Sequence, residues 1–358
     1  VAVAGARADR AFSSFPGVVG EEAAMPGDLS VAIIIVTYRS ARLTIECLRS
    51  IQLQLGSPGL AIRAIVVDNA SGDFATVNAA IRDNGWSSWA TCLLAPMNGG
   101  FAYGNNIGMQ VALSTAPVSY FYLVNPDTEL RAGAIGTLVE FMESHLDVGI
   151  AGGSFENRDG SDWPMAFRFP SLISEFLSGV QIGMFSRLLA SSVVPREMTK
   201  KAQPTDWICG AAMMIRASVA RSIGGLDENY FLYFEETDLC RRALQAGFPT
   251  WYVPESRVMH ILGQSTNVTG AAEGSRRLPS YWFESRRRYF AVTFGVRKAM
   301  LIDVVGILSL SLGVIKQALM GKRPVPFLLR DLMTHSILRK RNREIPPFKS
   351  SLIRVHLN

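Results

Sequence analysis

Apolar residues fall in solid blocks separated by helical spacing along the first third of the chain. Val31-Ala32-Ile33-Ile34-Ile35-Val36 is continuous, mostly β-branched, and ends at Thr37-Tyr38, the pattern of a strand buried on both faces. Leu43, Cys47, Leu48 and Ile51 then recur at helical spacing and predict a helix from Leu43 to Leu53. Ala64-Ile65-Val66-Val67 predicts a second buried strand, closing on Asp68-Asn69-Ala70-Ser71-Gly72-Asp73, with a helix through Val77 to Ile81 after it. Thr91 to Leu94 and Tyr120 to Val124 read as two more strands, with a helix from about Ala102 to Leu113 between them. Strands alternating with helices in this way imply an α/β fold with a Rossmann-like, mostly parallel sheet flanked by helices. Ligands of such sheets gather at the carboxyl ends of the strands. Here those ends carry Thr37-Tyr38, Asp68-Asn69, Asn98-Gly99-Gly100 and Asn125-Pro126-Asp127, all polar.

The alternation weakens from about Ile150. Trp163 to Pro170 looks irregular or hairpin-like, and Leu172 to Leu189 like a mobile amphipathic helix. Order resumes with a strand over Trp207 to Ile215, a helix over Ala217 to Ile223, a Gly224-Gly225 turn and a helix from about Glu236 to Ala246. Met300 to Met320 is apolar apart from Asp303, Lys316 and Gln317. A spanning helix wants about 20 apolar residues with few charges, and this segment is interrupted near both ends. A membrane-surface helix, a short insertion and a helix packed on the domain all stay open. Arg297-Lys298 and Lys322-Arg323 flank the segment and favour contact with an anionic membrane.

Composition adds limits. The chain has 358 residues, 48% of them hydrophobic, enough for one large core and an appendage. The net charge is +6, with the basic residues crowded into the last third, among them Arg277, Arg286, Arg287, Arg288, Arg339, Lys340, Arg341 and Arg343. No zinc-finger, homeodomain or RNP-like motif accompanies them, so nucleic acid is not the expected partner. Four scattered cysteines without a CxxC pair argue against a disulfide scaffold or a zinc site and fit a reducing cytoplasm. Residues 1–28, rich in small residues and without a secretory signal, are expected to be a poorly ordered extension. The expected division is then a catalytic domain over 29–265 and a basic, mainly helical region over 266–358.

Four features carry candidate chemistry. Asp68 follows a buried strand and precedes turn residues, so it either caps its own turn or meets a base or ribose. Asp127, with Asn125 two residues before it, could ligate a hard divalent cation such as Mg²⁺ or Mn²⁺; the plainer alternative is an N-cap for a helix starting at Thr128. Tyr230 to Phe234 leads into three acids within four positions, Glu235, Glu236 and Asp238. Crowded acids behind an aromatic wall should have at least one raised pKa, which suits a general base. The alternative has Glu235 and Asp238 capping the next helix and pairing with Arg241 and Arg242; we assign Asp238 to that structural role and the chemistry to Glu235 or Glu236. His260 ends an apolar strand before a Gly- and Ser-containing loop, a position more often structural than ligating.

Taken in order, Ile35-Val36-Thr37-Tyr38, Val67-Asp68-Asn69-Ala70-Ser71, Asn98-Gly99-Gly100-Phe101-Ala102 with Gly104-Asn105-Asn106-Gly108, Asn125-Pro126-Asp127, and Phe234-Glu235-Glu236-Thr237-Asp238-Leu239-Cys240 resemble family 2 glycosyltransferases of the inverting GT-A kind. The likeness runs from about Leu29 to Ser265 and leans toward the bacterial rhamnosyltransferase branch. It implies nucleoside-binding positions at Thr37, Tyr38 and Asp68, and a nucleotide-lining loop at Asn98, Gly99, Gly100 and Asn105. Asn125 and Asp127 stand at the family's metal motif, with Asn in place of its first acid, and His260 stands where many such enzymes have a second ligand. Glu235-Glu236 matches the family's Glu-Asp pair, so Glu236 is the expected base, one methylene longer than usual. Trp207, Gly210 and Ala211 resemble the loop near donor sugar and acceptor.

The resemblance further implies a dTDP- or UDP-sugar donor, L-rhamnose first among the sugars, and a glycan or lipid-linked acceptor. It places the protein in the cytoplasm at the inner face of the cell membrane, and a homo-oligomer is compatible with it. A nucleotidyltransferase would need a Gly-rich basic loop after its first strand, and Thr37-Tyr38-Arg39-Ser40 is not one. A non-catalytic glycan-binding homologue would be expected to have lost the acids, which are present.

Overall fold

A computed structural model of the chain describes residues 29–157, 161–163, 165–180, 189–260, 277–321 and 327–352. The expected N-terminal extension and the Gly263–Ser265 loop lie outside those residues. Strand β1 (Leu29–Thr37), helix α1 (Ala41–Gln52), β2 (Leu60–Asp68), α2 (Phe74–Asp83), β3 (Ala90–Leu94), α3 (Gly100–Thr115) and β4 (Tyr120–Val124) follow one another as βαβ units. Their parallel register pairs Thr37 with Asp68 and Asp68 with Leu94, while Ile35 faces Val124. The polar strand ends are thereby lined up on one edge, as the buried apolar runs imply.

Helix α3 can lie close on this sheet because it is small where it touches. A Cβ on Gly108 would come within 2.4 Å of Ile34, and one on Gly104 within 2.7 Å of Val36. Those contacts tolerate nothing larger than hydrogen.

The remaining strands are β5 (Thr128–Leu130), β6 (Ile150–Glu156), β7 (Asp162–Trp163), β8 (Ala166–Phe167), β9 (Gln203–Thr205), β10 (Trp207–Ile208), β11 (Ala212–Arg216) and β12 (Thr250–His260). Helices α4 (Ala134–Ser144), α5 (Leu172–Val180), α6 (Ala217–Ile223) and α7 (Glu235–Gln245) lie between them. The main sheet runs β3-β2-β1-β4-β11-β6-β12-β5, with β7 on β6 and β9 on β12. Its first four strands are parallel; β11 enters antiparallel between β4 and β6, so the second half is mixed. Trp207-Ile208 leaves the sheet to pair with Ala166-Phe167 in a short ribbon, which splits the single strand expected over 207–215. The N-cap alternative for Asp127 does not hold, because Thr128–Leu130 pairs with the far strand β12 instead of opening a helix. The helix expected over 172–189 is described only to Val180.

Helices α8 (Ser280–Phe294), α9 (Val296–Leu319) and α10 (Leu328–His335) form the C-terminal region. They share a second core in which Tyr230, from the segment before α7, meets Tyr289, Phe290, Ala299, Ile302 and Ile337. Some of the basic residues crowded into the last third are internal. Arg286 pairs with Asp303 at 2.6 Å and reaches Glu175 at 3.0 Å. Arg288 donates to Asp227 at 2.9 Å in the interior, whereas exposed Arg277 donates to buried Asp331 at 2.7 Å.

Candidate active site

The site is built from the ends of β1, β2 and β4, the start of α3, the turn before β11 and the start of α7. At the end of β1, the buried Thr37 hydroxyl donates to Asp73 at 2.8 Å, and the Ser40 amide donates to the same oxygen at 2.7 Å. Tyr38 is 38% exposed, with Arg39 over its ring. The Asp68 carboxylate, fully buried, accepts from the amides of Ser71, Gly72 and Phe74 and from the Ser71 hydroxyl. Its oxygens are engaged in shaping the β2–α2 turn, the first of the two roles open to it from sequence. Asp73 does for the β1–α1 turn what Asp68 does for its own. The sequence signal for it was present, an acid closing the Asp68–Asp73 segment just before a helix, but its partners lie more than thirty residues upstream.

Asn69 ties the second strand end to the third loop, donating to the Asn98 side chain and to the Gly100 carbonyl, both at 3.0 Å. Gly100 has φ +89°, and a Cβ there would sit 2.0 Å from the Phe231 carbonyl oxygen. That oxygen accepts from the Phe101 amide at 2.9 Å, so the Gly99-Gly100 turn is docked on the loop leading to the acids. Asn105 is buried in α3, donating to the Phe101 carbonyl at 2.9 Å.

The Asn125 amide donates to the Ala211 carbonyl at 2.9 Å, and the Thr128 hydroxyl approaches the same oxygen at 3.4 Å. Ala211 thus joins the Asn125–Asp127 turn to the loop before β11. Asp127 itself is 2% exposed. Trp207 donates its ring N–H to the Arg168 carbonyl at 2.9 Å and stacks on Phe167 at 4.3 Å. His260 pairs with Thr128 in the backbone register, one position from Asp127; its side chain lies outside the described residues.

Glu235 and Glu236 begin α7 directly after two aromatic residues in left-handed backbone, Tyr233 at φ 71° and Phe234 at φ 69°. Such conformations cost bulky residues about 1–3 kcal/mol each and persist only where surrounding packing enforces them. Burial pushes both carboxyls up. Glu235 is held well above the ordinary range by burial and then by the charge of Glu236. Glu236 is raised to about 7, burial outweighing the amides of Glu236, Thr237 and Gly210 that favour its charged form. Gly210 lets that loop close on the acids: a Cβ there would already touch Phe101 at 3.3 Å and Glu236 at 3.5 Å. Asp238 pairs with Arg242 at 2.6 Å and Arg241 at 3.2 Å, the structural arrangement expected from their spacing. Phe234, not an acid side chain, occupies the N-cap.

Cys209 is pushed up to about 12 by burial, then by the charges of Glu236, Asp127 and Glu235 together. The loop before β11 touches both ends of the site, Ala211 accepting from the Asn125 amide at 2.9 Å and Gly210 lying against Glu236.

Comparison with known proteins bears on the fold and the family. N-acetylglucosaminyl-diphospho-decaprenol L-rhamnosyltransferase of Mycobacterium tuberculosis (H37Rv) is 26% identical over 244 residues, 65% of this chain and 76% of that protein. Rhamnosyltransferase WbbL of Escherichia coli K12 is 26% identical over 164 residues, 45% of this chain and 60% of the relative. The crystal structure of GalNAc-T7 with UDP, GalNAc and Mn²⁺ shares the fold, with a TM-score of 0.55 at 13% identity over 86% of this chain and 58% of that one. The model of the family described as glycosyl transferase family 2 matches residues 32–222. With that match over more than half the chain, and a GT-A arrangement of sheet and helices beneath it, the protein is a catalytic glycosyltransferase belonging to glycosyl transferase family 2.

Proposed function

We propose that the enzyme transfers L-rhamnose from dTDP-L-rhamnose to a hydroxyl of a lipid-linked or growing surface glycan, inverting the anomeric carbon, at the inner face of the cell membrane. The observation that carries the chemistry is Glu236, a buried carboxyl raised to about 7 at the start of α7, next to Glu235 and against Gly210. A base with a pKa near the working pH combines a usable ionised fraction with a real affinity for the proton. The sugar and the kind of acceptor come from two relatives whose names specify rhamnosyl transfer, one onto a lipid diphosphate glycan.

In this reading the acceptor hydroxyl gives its proton to Glu236 while its oxygen attacks the anomeric carbon from the face opposite the nucleotide. The bond from that carbon to the diphosphate oxygen breaks, and its electron pair leaves with the nucleoside diphosphate. One displacement inverts the centre. Glu235, pushed well above the ordinary carboxylate range by burial and then by the charge of Glu236, is the second member of the pair. Tyr38 and the Gly99-Gly100 turn flank the nucleotide, Thr37, Asp68, Asn98 and Asn105 hold the surrounding backbone, and Trp207, Gly210 and Ala211 border the sugar and acceptor.

The residues fit a divalent cation. Asp127 is a single buried carboxylate at the strand end with the Asn125 amide beside it, and Mg²⁺ or Mn²⁺ sites of this kind take one or two carboxylates plus substrate phosphates. Asp127 and His260 would hold the ion; no three acid, His or Cys side chains gather among the described residues, so phosphate oxygens would complete the shell. Bound there, the ion offsets negative charge on the leaving diphosphate.

The donor is tested by incubating the protein with Mg²⁺ or Mn²⁺ and a panel of dTDP- and UDP-sugars, reading thermal shift and donor turnover. A response to dTDP-L-rhamnose above the UDP-sugars supports rhamnose. Preference for a UDP-sugar replaces it with the second reading, and silence toward every donor opposes catalysis by this site.

A further inference from the structure

Helix α9 is inside out. The residues it turns inward are mostly small or polar: Ala299, Ile302, Asp303, Gly306, Ser309 and Gly313. Its outward side carries Leu301, Leu308, Leu312, Ile315 and Leu319, each 54% to 84% exposed, with Val304 at 38%. Their spacing of three and four residues makes one stripe along the whole 24-residue helix, about 36 Å long. Helices in water bury their large apolar residues and expose the others. Small residues turned toward protein, with large ones left outside, are what helices facing lipid show. The small residues here permit real proximity: a Cβ on Gly313 would lie 2.1 Å from the Gly179 carbonyl oxygen of α5.

Charge agrees with the apolar pattern. Exposed Arg297 and Lys298 precede Leu301 by four and three residues, and Lys316 follows Leu312 by four, so all three flank the stripe. Asp303 is the only acid in the helix, and it is buried. Cations in a first helical turn oppose the helix dipole, so helix stability does not account for Arg297 and Lys298. An anionic surface does.

A spanning helix is incompatible with what the inner face holds. Asp303 binds Arg286 at 2.6 Å and accepts from the Ser336 hydroxyl at 2.7 Å and the Ile337 amide at 2.8 Å. The adjoining α8 is fixed to the segment before α7 through Arg288 and Asp227. Crossing the bilayer would break these contacts or carry paired charges into hydrocarbon.

We infer that α9 docks in the plane of an anionic lipid surface, with the Leu301–Leu319 stripe at the headgroup–acyl boundary and Arg297, Lys298 and Lys316 among the headgroups. This specifies how the membrane location proposed above is reached, and it is tested without any sugar transfer. The full chain is floated with vesicles of phosphatidylcholine alone or mixed with phosphatidylglycerol. Binding is expected to the mixed vesicles, to fall at least about tenfold in L308E or L312E, and to weaken in a joint R297E/K298E variant. Donor-induced thermal shift should stay unchanged in all three, which shows that they fold. Tryptophan placed at 308 should be quenched more by bromines high on the acyl chain than by bromines near its end, and carbonate at high pH should strip the protein from vesicles.

No flotation with mixed vesicles, or resistance to carbonate, overturns the inference. So does a dimer in solution that L308E splits while flotation is unaffected, since the stripe would then belong to a second copy. If flotation behaves as described but no lipid-linked acceptor is glycosylated, the proposed acceptor fails and the docking stands.

Discussion

Glu236 concentrates the chemistry in one residue, and its environment makes two opposite demands on pH. As a base it must be ionised, so kcat/KM should rise with pH up to about 7 and flatten above. As a buried carboxyl whose folded pKa lies above its ordinary value of 4.5, it contributes stability that is complete below about 4.5 and lost as pH rises through about 7. Glu236→Gln should therefore raise Tm at pH 8 and leave it nearly unchanged at pH 4, with a gain on the order of 3 kcal/mol at most. A thermal melt at the two pH values checks the sign. Asp127 plays a separable part: Asp127→Asn should weaken donor binding in Mg²⁺ or Mn²⁺ by tenfold or more while changing binding in chelator little, as calorimetry would show. The crowding of acids made this site legible in sequence, whereas burial is what chiefly raised their pKa values, with the charge of Glu236 adding to Glu235. Asp73 was overlooked as a site residue because its role depends on where the β1–α1 turn falls, which no local pattern specifies.

At the scale of elements, the site depends on two turns locked together, the Gly99-Gly100 start of α3 and the left-handed Tyr233-Phe234 start of α7. Gly100→Ala would place a methyl group 2.0 Å from the Phe231 carbonyl oxygen in a backbone with φ +89°. The expected cost is at least about 2 kcal/mol, with a fall in activity larger than the fall in Tm alone accounts for, because the loop carrying Glu235 and Glu236 must move. Urea unfolding and turnover on the same sample test both. Elements defined by local runs, β1, β2, α1 and α7, were readable within a few residues. Thr128–Leu130 was not, since a three-residue strand is specified by β12, which is far away in the chain. Continuous apolar runs likewise do not distinguish parallel from antiparallel pairing, so the mixed second half of the sheet was hidden.

Across the whole molecule, the described C-terminal residues up to Leu352 are fastened to the sheet domain. The Glu228 amide donates to the Lys349 carbonyl at 2.7 Å, Asn106 reaches the Ser350 hydroxyl at 2.9 Å, and Leu352 joins the main core. Removing everything after Arg297 would thus injure the core, and single substitutions on the exposed stripe separate docking from folding more cleanly. Arg288→Met would leave Asp227 buried without its main cation and should cost about 3–5 kcal/mol, measurable as a lowered urea midpoint. The sequence shows basic residues crowded into the last third without showing which are exposed; Arg286 and Arg288 meet Glu175, Asp303 and Asp227 in the interior. Those pairings join residues 17 to 111 positions apart, beyond any composition argument.

The most direct test of the account is the pH profile of sugar transfer by the wild type and by Glu236→Gln, with donor binding measured alongside. The account predicts a wild-type kcat/KM that climbs to a plateau above about pH 7, and a variant slower by at least about a hundredfold at every pH with donor affinity nearly unchanged. Wild-type rates in Glu236→Gln would contradict it.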